Sequence, residues 1–152
     1  MTKYNLRTAK SEDAEFLFNV ILEAMNPVSI TLRTEAFDYD KEFKEYLKKF
    51  EPEKVSVIQY EGKDVGRLRI VRPKESIYIG GIQLLPDFQG KGIGKAIMSD
   101  LIEESDRMGT PITLEVHHVN EDVISFYQKL GFKGMNYLEK KLEMKYTPIF
   151  LL

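Results

Sequence analysis

The sequence predicts an α/β fold of mixed class, with a central sheet that is mostly antiparallel. Three observations predict it. Val55 to Leu84 alternates apolar and polar residues in three runs separated by turn residues, the pattern of an antiparallel meander. The last of these runs is followed by a helical period and then by another strand, so that the final pair is joined by a crossover and runs parallel. Between strand and helix lies Gln89-Gly90-Lys91-Gly92-Ile93-Gly94, with three glycines within five positions. A loop of that kind aims unpaired N–H groups and a positive dipole end outward, which suits an anion.

In chain order, Tyr4 to Thr8 alternates and predicts a short strand. Ser11, followed by Glu12 and Asp13, predicts a helix start with a capping hydroxyl. Phe16, Leu17, Val20, Ile21 and Ala24 carry that helix to Met25, and Asn26-Pro27 is expected to break it. A second helix is expected from Asp40 to Phe50, with Phe43, Tyr46, Leu47 and Phe50 on one face. The strands of the meander are Val55 to Tyr60, Val65 to Val71 and Ile77 to Leu84. Glu61-Gly62-Lys63-Asp64 forms the first turn and Pro73-Lys74-Glu75 the second. Ile93, Ala96, Ile97, Leu101 and Met108 mark the buried face of the crossover helix, and Gly109-Thr110-Pro111 stops it. Ile112 to Val116 is the next strand. Asn120 is placed to cap a last helix carrying Val123, Phe126, Tyr127 and Leu130, and Phe132 to Tyr146 supplies one or two closing strands.

The chain has 152 residues, 43% hydrophobic and 30% charged, which is enough for one globular domain with a buried core and argues against general disorder. A single domain over residues 1–152 is the expectation, without repeats or linkers. The net charge of −2 gives no electrostatic case for a nucleic-acid partner. Cysteine is absent, so disulfides, thiolate metal sites and a cysteine nucleophile are excluded. The opening residues lack the apolar run of a signal peptide, and no stretch approaches the ~20 apolar residues of a membrane span. No membrane partner and a cytoplasmic location are the resulting expectations. The apolar ending Pro148 to Leu152 needs cover, from its own domain or from a second copy in a homodimer.

Two commoner phosphate loops fail. Gly90 and Gly94 have three residues between them rather than four, and Ala96 follows Lys95 where a Walker loop has Ser or Thr. The dinucleotide fingerprint has another spacing and follows the first strand of a βαβ unit. A second segment, Asn120 to Phe132, selects another ligand. Taken with Pro86 to Gly94, it resembles the GNAT superfamily of N-acetyltransferases. Gln89, Gly92 and Gly94 match that family's acetyl-CoA loop, and Asn120, Tyr127, Lys129, Gly131 and Phe132 match its second motif.

The resemblance implies a sheet with splayed parallel middle strands, flanked by about four helices. It also implies acetyl-CoA as co-substrate. The pyrophosphate would sit on the N–H groups from Gln89 through Gly90, Lys91, Gly92 and Ile93 to Gly94. The pantetheine arm would pair with the main chain at Ile82, Gln83 and Leu84. An N–H near Leu84 would stabilise the charge developing on the thioester oxygen. Asn120 would contact the cofactor as well as cap its helix. Tyr127 would be the general acid that protonates the leaving thiolate, and would lie against the cofactor. Glu115, at the end of its strand, is put first as general base, with His117 on its face and His118 on the other. Two adjacent histidines pointing opposite ways suggest no metal site.

The partner would be an amine-bearing small molecule or protein, the segment from Met25 to Phe50 shaping that side of the cleft. Glu35, Asp38 and Asp40 there could attract a cation. A non-catalytic acyl-CoA-binding or regulatory module on the same scaffold is the alternative reading. Arg67 and Arg69, alternating on one strand face, read as ordinary solvated charge.

Overall fold

The computed structural model describes residues 2–24 and 36–149. The expected break at Asn26-Pro27 and the acid Glu35 lie outside these residues. Among the described residues, seven strands form one sheet in the order β1-β2-β3-β4-β5-β7-β6. They are β1 (Asn5–Thr8), β2 (Val55–Tyr60), β3 (Lys63–Val71), β4 (Ile77–Leu84), β5 (Ile112–His117), β6 (Lys133–Tyr137) and β7 (Lys141–Tyr146). The helices among the described residues are α1 (Ala14–Ala24), α2 (Tyr39–Lys49), α3 (Ile93–Met108) and α4 (Glu121–Lys129).

The chain divides into two compact units, Met1–Arg69 with Gly81–Ala96, and Ile70–Gly80 with Ile97–Leu152. In the first unit, β1 and β2 pair antiparallel from Asn5↔Gln59 to Thr8↔Ser56. β2 turns into β3 through Glu61 and Gly62, both at positive φ (51° and 78°), the backbone that a two-residue hairpin requires. The pairing shifts register at Ile58/Gln59. Ala9, Leu17, Val55 and Val57 form a buried cluster, with Phe16, Tyr46 and Phe50 packed against it. Phe18 meets the rings of Tyr39, Phe43 and Tyr46, each at 5.3 Å between centroids. This aromatic contact is what fixes α2, whose own residues are all partly exposed. Leu47, expected on the inner face, is 45% exposed, because the packing uses the Phe43–Tyr46–Phe50 stripe instead.

Ser11 does not cap α1 as expected. The chain enters through a 3-10 turn at Ser11–Asp13, and the Lys10 N–H donates to the Asp13 carboxylate at 2.8 Å. Asp13 also takes a bidentate hydrogen bond from Arg7 at 2.9 Å, and Arg7 reaches Asp64 at 2.9 Å. Three parts of the first unit, β1, the helix entrance and β3, are tied by this one guanidinium.

In the second unit, β4 and β5 are parallel, with Ile77↔Ile112, Tyr78↔Thr113 and Ile79↔Leu114 in register. The crossover rule therefore gave the right direction. β5 pairs antiparallel with β7 from Ile112↔Tyr146 to His117↔Lys141. β6 and β7 close the chain as a complete hairpin, with a register shift at Gly134/Asn136. On α3, Ile93, Ala96, Ile97 and Leu101 are buried as expected, whereas Met108 is 66% exposed. The helix ends there, at Gly109 with φ 66°, so its last residue extends past the packed face. Met98 and Ser105 are buried as well, outside the face that the helical period marks. The apolar ending starts on its own chain: Pro148 is fully buried and the Ile149 N–H donates to Asp106 at 3.1 Å. Residues 150–152 lie outside the described set.

Candidate active site

The glycine loop has the backbone that its sequence requires. Pro86–Phe88 forms a 3-10 turn after β4, and the chain then passes Gly90 and Gly92 at φ 74° and 83°, conformations that cost an L side chain about 1 kcal/mol or more. Gly90 and Gly94 have open space where a Cβ would stand. Gly92 has a different neighbour: a Cβ there would come within 2.9 Å of Thr2 Oγ1, whose hydroxyl donates to Lys91 O at 3.0 Å. Its missing side chain therefore admits the N-terminal segment as well as a positive φ. Ala96 N–H reaches back to Gly92 O at 3.0 Å, so the amides before it have no intrahelical acceptor. These open amides at a helix start, beside glycines that leave room, fit a diphosphate.

Two details correct the expected cradle. The Gln89 N–H is already committed to Pro86 O at 3.2 Å, so the available amides begin after it. The Gln89 side chain donates to Leu84 O at 3.0 Å and braces the loop against the end of β4. The Ile93 side chain is buried, leaving only its backbone to a ligand, while Lys91 and Lys95 are exposed. Ile82, Gln83 and Leu84 are half-buried. Close by, the Leu85 N–H donates to Val65 O at 2.9 Å. Gly66 lets this part of β4 approach β3, since a Cβ there would lie 2.5 Å from Gln83 O.

Arg67 is a residue whose setting the sequence reading missed. It is only 8% exposed, because β3 is covered along Val65–Leu68. Its Nη1 donates to Gln83 Oε1 at 3.0 Å and lies over Gly81, where a Cβ would come within 2.6 Å of it. Its Nε and the Tyr46 hydroxyl are both buried without a hydrogen-bond partner. The two groups are near enough for charge to act between them, yet outside hydrogen-bond geometry. Burial lowers the Arg67 pKa and raises that of Tyr46. The available signal was positional: an arginine in a middle strand of a meander has a helix or sheet neighbour on either side, not water.

In the second unit, Tyr127 is 5% exposed, and burial pushes its phenol up to about 12. Phe126 and Phe132 hold its ring edge-on at 5.2 and 5.3 Å. Its carbonyl accepts from the N–H groups of Leu130 and Phe132, both at 3.0 Å, closing α4 ahead of Gly131 at φ 101°. Asn120 occupies the N-cap position without a side-chain cap bond, so the expected capping role is not what its amide does. Val123, expected with Tyr127 on the inner face, is 40% exposed. Glu115 is on the exposed side of β5, between buried Leu114 and Val116, with Lys141 at 3.7 Å. His117 is exposed, and the His118 ring stacks on Tyr137 with Nε2 2.9 Å from Leu138 O. Among the described residues no cluster of His, Asp or Glu could hold a metal, and no helix is long and apolar enough to cross a membrane. Asp38, one of the acids expected to attract a cation, is committed to capping α2 through the Lys41 N–H.

A sequence model of the acetyltransferase (GNAT) family matches residues 19–132, and the chain belongs to that family. Curated relatives agree. An uncharacterized N-acetyltransferase of Methanocaldococcus jannaschii is 31% identical over 107 residues, 65% of this chain and 47% of that protein. The ribosomal protein bS18-alanine N-acetyltransferase of Escherichia coli is 40% identical over 64 residues, 41% of this chain and 40% of its own. The chain spans less than half the length of these relatives. Among solved structures, the PaiA N-acetyltransferase of Thermoplasma acidophilum in complex with coenzyme A has the same fold, with a TM-score of 0.73 and 19% identity. That match covers 96% of this chain and 99% of the other. The Escherichia coli ribosomal-protein-S18-alanine N-acetyltransferase superposes with a TM-score of 0.67 and 17% identity over 95% of this chain and 94% of its own.

Proposed function

We propose that this chain transfers the acetyl group of acetyl-CoA directly to a primary amine. The observation that carries the reading is the loop itself. Gly90, Gly92 and Gly94 open a helix with unpaired amides, braced by Gln89 on Leu84 O, in a chain of the acetyltransferase family. Acetyl-CoA supplies the activated acyl group. The amides from Gly90 to Gly94 take its diphosphate, with Lys91 adding charge at the rim. The backbone at Ile82, Gln83 and Leu84 takes the pantetheine arm, and Leu84 sits where a main-chain N–H can stabilise the thioester oxygen.

Tyr127 is assigned the general acid. Its raised pKa keeps it protonated at neutral pH, so it can donate a hydrogen bond to a thiolate whose own pKa is about 8.5. Glu115 is assigned the base that removes the ammonium proton, and Asn120 a contact to the cofactor. The acceptor is a small amine or a protein amine; a similar Escherichia coli protein is named for an alanine of a ribosomal protein. A cytoplasmic location and a homodimer that covers the apolar ending complete the proposal.

The test is thiol release from acetyl-CoA across a panel of polyamines, amino acids, aminoglycosides and peptides, with the acetylated product identified by mass. Release dependent on an amine is expected. Tight acetyl-CoA binding with no release from any amine would replace the enzyme with a binding module.

A further inference from the structure

We propose that Arg67, with Tyr46 beside it, is a carboxylate-binding subsite for the acceptor, which selects amines that carry a carboxylate nearby. The proposal rests on the acetyltransferase reading and specifies its substrate class. A guanidinium stays protonated at any physiological pH, and a buried one normally has an anion next to it. Even more exposed arginines here have one: Arg7 holds Asp13 and Asp64, Arg72 holds Glu104, and Arg69 has Glu51 at 3.9 Å. Arg67 is only 8% exposed, and no carboxylate among the described residues pairs with it.

The side chains around its fork are uncharged, and the charge that acts on it is the like charge of Arg69. Gln83 Oε1 takes one N–H of the fork at 3.0 Å and fixes its plane. Gly81, on β4, has no side chain, and Arg67 Nη1 and the Gln83 amide pack into the room this leaves. Nε–H and the Tyr46 O–H remain as two buried donors with nothing to donate to. A carboxylate has two acceptor oxygens and one negative charge, and so it satisfies the two donors and the cation together. A neutral amide or ester would leave the charge uncompensated.

Position points to the acceptor rather than to the diphosphate. Arg67 lies over Gly81 and against Gln83, one to three residues along β4 from Leu84, whereas the open amides of the loop begin only after Gln89. At a strand rise of about 3.3 Å per residue, the carboxylate and the reacting amine would be separated by about 3–10 Å. That range covers α-amino acids, ω-amino acids and short peptides with a free C-terminus or an acidic side chain.

The experiment pairs each acid with its neutral form. Thiol release is measured with glycine, β-alanine, L-lysine, L-glutamate and glycylglycine, each against its C-terminal amide, using wild type, Arg67→Gln, Arg67→Lys and Tyr46→Phe. Binding of succinate and of succinamide to the CoA-loaded protein is followed in parallel by calorimetry. The expected result is at least a tenfold preference in kcat/KM for the best free acid over its amide. Arg67→Gln should remove that preference through KM for the acceptor, leaving KM for acetyl-CoA within about twofold. Arg67→Lys should restore part of it, and Tyr46→Phe should weaken it less than Arg67→Gln. Succinate, not succinamide, should bind the wild type and not Arg67→Gln. Turnover without acid preference overturns the subsite and leaves the acetyltransferase reading in place. Succinate binding that depends on Arg67, with no turnover of any acceptor, supports the subsite and removes the enzyme reading. Arg67-independent succinate binding, or a fold lost in Arg67→Gln and unrestored in Arg67→Lys, assigns the arginine to structure alone and overturns the proposal.

Discussion

At the residue scale, Tyr127 shows how one side chain can serve packing and chemistry together. Its ring is wedged between Phe126 and Phe132, and its carbonyl closes α4. None of those contacts uses the hydroxyl. Tyr127→Phe should therefore fold with a melting temperature close to wild type, and acetyl-CoA should bind within about twofold. Turnover should fall by about 100-fold, the usual size of a lost general acid. Steady-state kinetics with the best acceptor checks this, and unchanged kcat would remove the assignment. Burial adds a pH signature. With the phenol pushed up to about 12, Tyr127 itself should not produce an alkaline fall in kcat below about pH 10. Glu115 is a weaker position by geometry, exposed and partnered by Lys141. If it is the base, Glu115→Gln should lower kcat/KM at least tenfold near neutrality. An unchanged kcat/KM would pass the role to solvent.

At the scale of elements, the glycine loop separates two demands that the sequence joins. Gly94 has ordinary φ and open space, and it lies in the first turn of α3, so alanine there meets no strain. Gly94→Ala should leave thermal stability unchanged or slightly raised, since alanine favours helix over glycine by about 1 kcal/mol. Any loss of acetyl-CoA affinity in that variant then reads the ligand contact alone. Gly92→Ala should cost about 1–2 kcal/mol by denaturant unfolding, because it adds positive-φ strain and a contact with Thr2 Oγ1 at 2.9 Å.

Local rules were sufficient for β4, the loop, α3 and β5, since turn chemistry and period there agree with the fold. They failed where long-range partners decide. Ser11 lost its cap to Asp13, which is held by Arg7, and Met108 ran past its packed face. Arg67 looked like half of a surface pair with Arg69 and is instead under cover. Strand alternation tells which face a residue takes, but only the neighbouring strand and α2 tell whether that face meets water.

For the molecule as a whole, the ionisable groups set the pH window in which it is stable. On the acid side, the Arg7 guanidinium is hydrogen-bonded to Asp13 and Asp64 and holds both carboxyls below their usual range. A depressed folded-state pKa stabilises above the unfolded value, near 4, and that contribution is lost as pH falls through the folded value. On the alkaline side, burial pushes Tyr127 up to about 12, and burial with the hydrogen bond to Asp106 does the same for Tyr146. A raised folded-state pKa stabilises below the unfolded value, near 10, and that contribution is lost as pH rises through the folded one. Stability should therefore be flat between about pH 5 and pH 9 and fall on both sides. Arg7→Gln separates the two limbs. It removes the cation that depresses Asp13 and Asp64, so it should lower stability at neutral pH and flatten the fall below pH 5, while leaving the alkaline limb in place. Urea unfolding of both proteins from about pH 3 to pH 11 is the measurement, and an acid limb of equal steepness in Arg7→Gln would show that other carboxyls set it.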